Sequence, residues 1–199
     1  MVKSEDIIFV DLSEEELHEI ILVSDGLLKS IVDRHDLHER DYLEKYLNIL
    51  MGEIAEIIVI KWLTEHGKYA KSVVNKESGT PDSGFDIILH SKKGDTTCSV
   101  KSSLSAKISE MEKILDTFTI ATKKSEVSDV NIQVYFWLNT SGNPRQTVPT
   151  LKNMAIIGWL GKKDFQSISW GKYNNESRQA PSEKLRELHP MKELLKILI

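Results

Sequence analysis

The 199-residue chain has a single cysteine, Cys98. One thiol excludes an internal disulfide and any cysteine-rich zinc module, and it fits a reducing compartment. No apolar run approaches the length of a bilayer span, so no membrane partner is expected. The first segment turns acidic from Glu5 onward and lacks a signal-peptide pattern, so a cytoplasmic location is expected. Internal repeats, low-complexity tracts and long Pro/Gly/Ser linkers are all missing, which points to one domain over residues 1–199. Walker A, Gly-x-Gly-x-x-Gly and nucleophile-elbow patterns are missing too, and with them the usual signatures of nucleotide binding and serine hydrolysis.

What is present suits a soluble globular chain with a sizeable core: 40% hydrophobic and 28% charged residues. The net charge of −4 hides an asymmetry. Residues 1–66 hold 16 acidic and 6 basic side chains, and residues 67–199 hold 14 and 20. The acidic half is a poor match for a phosphate backbone, whereas the basic half is compatible with one. A solvated surface of no special function gives the same unevenness.

Ser13-x-x-Glu16 reads as a capping box opening a helix to about residue 33. A second helical stretch spans about residues 38–65 and ends at His66-Gly67. Its part from 54 to 63 is apolar on nearly every side, the mark of a buried helix. The pattern then changes. Residues 69–74 form a short strand candidate, and 75–84 are rich in turn formers. Residues 85–89 and 96–101 read as a hairpin about the turn 92–95. Residues 105–118 read as a helix, 130–138 and 154–159 as strands, 162–167 as a short helix and 184–199 as a last helix. This order predicts an α/β fold, a mixed sheet flanked by helices.

Within the hairpin, Asp86 lies on one strand and Ser99-Val100-Lys101 on its neighbour. Residues 99 and 101 share parity, so their side chains share a face. Cys98 points to the other face and reads as core. Upstream, Glu53 and Glu56 stand inside an apolar helix, where a carboxylate is costly without a partner or a metal. Each feature has an ordinary explanation. An Asp at a hairpin start is commonly a turn residue, and a strand lysine is commonly solvated. His35-x-x-His38 stands in a charged stretch without further ligands and reads as surface. Tyr135-Phe136-Trp137 could stack on bases but reads better as a buried strand. Lys92-Lys93, Lys123-Lys124 and Lys162-Lys163 are candidate phosphate contacts, each also explicable as plain surface.

The layout of helix Glu, then Asp, then acid-x-Lys resembles that of the PD-(D/E)XK nucleases, which include many restriction enzymes. Gly52 and Glu56 followed by Trp62-Leu63 are similar to a helix common in that family, which favours Glu56 over Glu53. Gly84-Phe85-Asp86-Ile87 and Lys101 match its metal-binding Asp and motif lysine. Asp129 before the strong strand, Ile157-Gly158-Trp159-Leu160 with its following short helix, and Leu188-x-Pro190-Met191-x-x-Leu194 continue the likeness, which covers roughly residues 45–199. The resemblance implies a restriction-endonuclease-like core over 46–199 with an N-terminal helical extension over about 1–45.

It also implies a Mg²⁺-dependent endodeoxyribonuclease, with Mn²⁺ as a substitute metal, acting on double-stranded DNA as a restriction or defence enzyme and as a homodimer. Ser99 departs from the pattern, because it stands where the motif has its middle acid. Some family members with Ser-x-Lys take the acid from the following helix, where Glu110 and Glu112 lie. The implied site is therefore Glu56, Asp86, Ser99 and Lys101. Asp86, the Val100 carbonyl and Glu110 or Glu112 are the implied metal ligands, with Glu56 binding directly or through water. Lys92, Lys93, Lys123 and Lys124 are the implied DNA contacts. The alternative is a catalytically inactive relative serving as a DNA-binding or assembly subunit. RNA is a weaker candidate substrate.

Overall fold

A computed structural model describes residues 1–30, 41–73, 84–138, 153–172 and 179–199. His35, His38 and the Pro81-Asp82-Ser83 lead-in to Asp86 lie outside these residues.

The first helix, α1 (Glu14–Ser30), starts where the capping box predicts. Ser13 N–H donates to Glu16 Oε2 at 2.7 Å, and Glu16 N–H donates to Ser13 Oγ at 3.1 Å. The second, α2 (Tyr42–Glu65), is capped by Asp41, whose side chain accepts from Glu44 N–H at 2.8 Å. It then runs through the apolar segment and buries Ile54, Ile58, Val59, Trp62 and Leu63. Each such side chain contributes about 1.5–3 kcal/mol.

Five strands follow: β1 (Ala70–Ser72), β2 (Ile87–Ser91), β3 (Gly94–Ser105), β4 (Val130–Trp137) and β5 (Met154–Gly161). They form one mixed sheet in sequence order, antiparallel except for the parallel pair β3–β4. The hairpin β2–β3 turns at Lys92-Lys93, with Gly94 at φ 106°, a left-handed value that suits glycine. A parallel pair needs a crossover. Here α3 (Met111–Thr117) and the 3₁₀ turn Lys124–Glu126 lie on it.

β4 is buried along its whole length. Phe136 faces α2 and the last helix, α4 (Met191–Ile197), while Tyr135 and Trp137 face α3 and the segment around Leu185. Its aromatic run is therefore core on both faces, as the sequence predicts. Cys98 is fully buried on the α2 face, also as predicted. No helix among the described residues is long and apolar enough to cross a membrane.

Three expectations need correction. The helix expected over 105–118 is only Met111–Thr117, because β3 continues to Ser105, which pairs with Trp137. The helix expected over 184–199 is divided into a 3₁₀ turn (Leu185–Glu187) and α4. Pro190 lacks an N–H and biases His189 to extended backbone, where His189 bridges Trp159 by two main-chain bonds of 2.9 and 3.0 Å. The helix expected over 162–167 shrinks to the 3₁₀ turn Asp164–Gln166. Two short strands, β6 (Trp170–Lys172) and β7 (Gln179–Pro181), pair with each other and were not expected.

Candidate active site

The register of the β2–β3 hairpin places Ile87 opposite Cys98, so Asp86 continues it to Ser99, and Asp86 N–H donates to the Cys98 carbonyl at 2.9 Å. Beyond this point β3 outruns β2. From Ser99 to Ser105 its strand partner is β4 alone among the described residues. The Asp86 side chain occupies the flank that β2 leaves. Its Oδ2 accepts the Val100 N–H at 2.6 Å and the Ser99 hydroxyl at 3.2 Å. Asp86 is therefore bound to the main chain of β3 one residue before Lys101, rather than closing a turn. In a strand, a residue's N–H and C=O leave on the same side. The Val100 carbonyl thus shares the flank where Asp86 sits.

Lys101 lies on the same face as Ser99. Its side chain is about one-fifth exposed, and its Nζ is 3.7 Å from Glu126 Oε2. Glu56, on α2, is 5% exposed. Glu53 is buried nearly as well, so burial alone does not separate the two. The Cys98 thiol does. Burial pushes its pKa well above the usual range, the charges of Asp86 and then Glu56 push it further, and Lys101 opposes them. Asp86, Glu56 and Lys101 therefore all act on one buried sulfur.

Ser99 is 1% exposed and serves as a donor to Asp86. Glu110 and Glu112 are engaged elsewhere. Glu110 pairs with Lys113 at 2.8 Å. Glu112 pairs with Arg186 at 2.5 Å on the outer side of α3. Among the described residues no three His, Cys, Asp or Glu side chains form a metal-binding group. Lys92 and Lys93 are exposed at the hairpin tip, at the opposite end of β3. At about 3.3 Å per residue, Lys93 is roughly 25 Å along the strand from Lys101. Lys124 is exposed, whereas its neighbour Lys123 turns inward. Lys123 Nζ lies 3.5 Å from Glu126 Oε1.

Sequence reasoning missed Glu126 and Gln133. Gln133 is fully buried and faces Lys101 in the parallel register. Its amide nitrogen donates to the Lys101 carbonyl at 3.1 Å, and its amide oxygen accepts from Ala121 N–H at 2.8 Å. It thereby ties the chain between α3 and β4 across the sheet at the level of Lys101. That crossing carries Lys123 and Glu126 to the site, beside a cavity of about 530 Å³ lined by Lys101, Ser103, Phe118, Thr122, Lys123 and Glu126, among others. The one signal in the sequence was a polar residue, Gln133, inside the most apolar strand.

No family model, no curated protein and no solved structure matches this chain.

Proposed function

We propose that this protein is a Mg²⁺-dependent endodeoxyribonuclease of the restriction-endonuclease-like kind, hydrolysing phosphodiester bonds of double-stranded DNA. One observation carries the reading. Asp86 is lodged on the Val100 N–H beside Lys101, where β3 outruns β2, and the charge of Glu56 acts on Cys98, two residues before Val100 on β3. A carboxylate, a second carboxylate and an ammonium held by three different elements form an arrangement suited to water activation beside a phosphate.

The donor set fits a hard cation. Asp86, Glu56 and the Val100 carbonyl offer only oxygen. Mg²⁺ keeps several waters and is commonly held by one or two carboxylates plus substrate phosphate, so a closed protein cage is not required. When bound, the cation supplies Lewis acidity that acidifies water and offsets charge on the phosphate. Lys101 orients the attacking water and offsets charge developing on the phosphate oxygens. The Val100 N–H and Ser99 hydroxyl fix the Asp86 carboxylate so that it does not have to reorganise. As one site cuts one strand, a homodimer suits cutting of both, and a cytoplasmic setting follows from the same reading.

A second reading has its own support. Ser99 stands where an acid is expected, and Glu112 and Glu110 are bound to Arg186 and Lys113. On that reading the protein is a DNA-binding or assembly subunit without catalysis. The test is incubation with supercoiled plasmid and Mg²⁺ or Mn²⁺, with Lys101→Ala alongside. Nicking that drops by about 10²-fold or more in the variant supports the nuclease. No cleavage of varied DNA favours the second reading. Cleavage that survives Lys101→Ala removes Lys101 from the chemistry.

A further inference from the structure

The cavity beside Lys101, about 530 Å³, has the size of a small-molecule site, about 300–1,000 Å³. It follows the flank of β3 that β2 does not pair. Lys101 and Ser103 line it from one face of the strand, and Ser102 and Leu104 from the other. Much of the remaining lining is the segment 118–123, which crosses from α3 toward β4. That segment is held at two points. The Phe118 carbonyl accepts the Leu185 N–H at 2.9 Å, and the Ala121 N–H donates to the buried Gln133 amide oxygen at 2.8 Å. The Phe118 ring packs on Tyr135, with centroids 5.1 Å apart. The cavity is therefore shaped before any ligand arrives.

Its lining suits a planar, neutral, hydrogen-bonding group. Leu104, Phe118 and Ile120 supply apolar and aromatic surface, while Ser102 and Asn48 supply a hydroxyl and an amide. A second observation points to a ligand. Thr122 also lines the cavity and is 2% exposed, and its hydroxyl has no hydrogen-bond partner among the described residues. Native proteins rarely leave a buried hydroxyl in that condition. A hydroxyl can donate and accept, so it serves either kind of polar ring atom.

We propose that this cavity receives one nucleobase of the strand being cut, swung out of its stack, beside the phosphate held at Lys101. The proposal rests on the nuclease reading and adds to it a pocket for a base. Lys101 borders the cavity, so a strand with its phosphate there carries a base to the cavity mouth. A base inside a duplex must give up stacking and pairing to enter. The Phe118 ring replaces the stacking, and Thr122 and Asn48 replace the pairing. DNA with bases already unstacked therefore binds better than a closed duplex.

Anisotropy with a fluorescently labelled single strand, without divalent metal, tests this beside a strand of equal length that keeps the sugar–phosphate backbone but lacks every base. The wild type is expected to bind the base-bearing strand about tenfold more tightly. Thr122→Val nearly keeps the side-chain shape and removes an unsatisfied buried hydroxyl, so it folds at least as well as the wild type. It should still reduce the preference about fivefold. Ala121→Leu, at an exposed position on the lining, fills the cavity without adding an aromatic face. It should abolish the preference and leave binding of the base-free strand unchanged. Equal affinity of the wild type for the two strands, binding of neither, or a preference that survives both variants overturns the pocket. Plasmid nicking with Mg²⁺ reads the nuclease separately. A wild type that nicks without preferring bases loses the pocket alone. One that prefers bases through Thr122 and nicks nothing keeps the pocket and loses the catalysis.

Discussion

The carboxylate of Asp86 accepts the main-chain N–H of Val100 at 2.6 Å, across the point where β2 ends and β3 continues. An edge amide is satisfied and a charged group is fixed by the same bond. Asp86→Asn keeps an acceptor oxygen for Val100 but removes the charge. We expect it to lower Mg²⁺-dependent nicking by 100-fold or more while the fold is retained. Asp86→Leu leaves the Val100 N–H without this acceptor and should cost about 1–3 kcal/mol in urea denaturation as well. Wild-type cleavage by Asp86→Asn would remove Asp86 from the chemistry.

Gly52 sits exposed in the middle of α2, between Met51 and Glu53, which are buried. No neighbour excludes a side chain there. Gly52→Ala should stabilise the helix by about 0.5–1 kcal/mol, because an interior helix glycine costs that much relative to alanine. Thermal or urea denaturation of Gly52→Ala beside the wild type checks this, and an unchanged or lowered midpoint would contradict it.

Gly158 is constrained in the opposite way. A Cβ on this residue would meet the His189 carbonyl at 2.7 Å and side-chain atoms of Leu188 and Val2 at 3.0 Å. The main-chain bridge between Trp159 and His189 depends on that close approach. Gly158→Ala should destabilise by about 1–3 kcal/mol, the usual cost of overpacking. Gly171→Ala, with open space around its Cβ, is the comparison. Equal denaturation midpoints for the two variants would contradict the packing argument.

Stability should depend on acid pH through two carboxyls. Hydrogen bonds from Arg186 hold Asp116 below its ordinary 3.8. Lys61, then the Ser13 N–H, hold Glu16 below its ordinary 4.5. In both cases the folded pKa lies under the unfolded one, so the unfolded chain binds more protons as pH falls. Their contribution is complete above the ordinary values and is lost as pH drops through the lowered ones. Asp116→Asn and Glu16→Gln should each melt below the wild type at pH 7 and converge on it in strong acid. Thermal melts from pH 7 to pH 2 check this, and a constant gap at all pH values would refute it.

Local signals were enough for the elements whose determinants are local. Ser13 and Glu16 define a helix start because their reciprocal bonds span three residues. Two strands about Lys92–Asp95 predict a hairpin, and parity alone puts Ser99 and Lys101 on one face. The α/β order and the buried aromatic strand followed from periodicity. Helix ends were less legible. Where β3 stops is decided by its pairing with β4 through Ser105, and where the last helix starts is decided by Pro190 and the bridge to Trp159.

The sequence by itself determined the capping box, the hairpin and the core strands, because each rests on neighbours a few residues apart or on a fixed spacing, whereas Asp86, Lys101 and Glu56 became candidates through their resemblance to a family motif. Only the tertiary structure decided which groups meet them. The acid beside Lys101 is Glu126, twenty-five positions later in the sequence, and Lys123 joins it from the same segment. Glu112, on the helix where an acid was sought, is held by Arg186 instead. No local pattern records this. The parallel pairing of β3 with β4 and the buried Gln133 amide set the path of the crossing chain, and that path determines which carboxylate reaches the lysine.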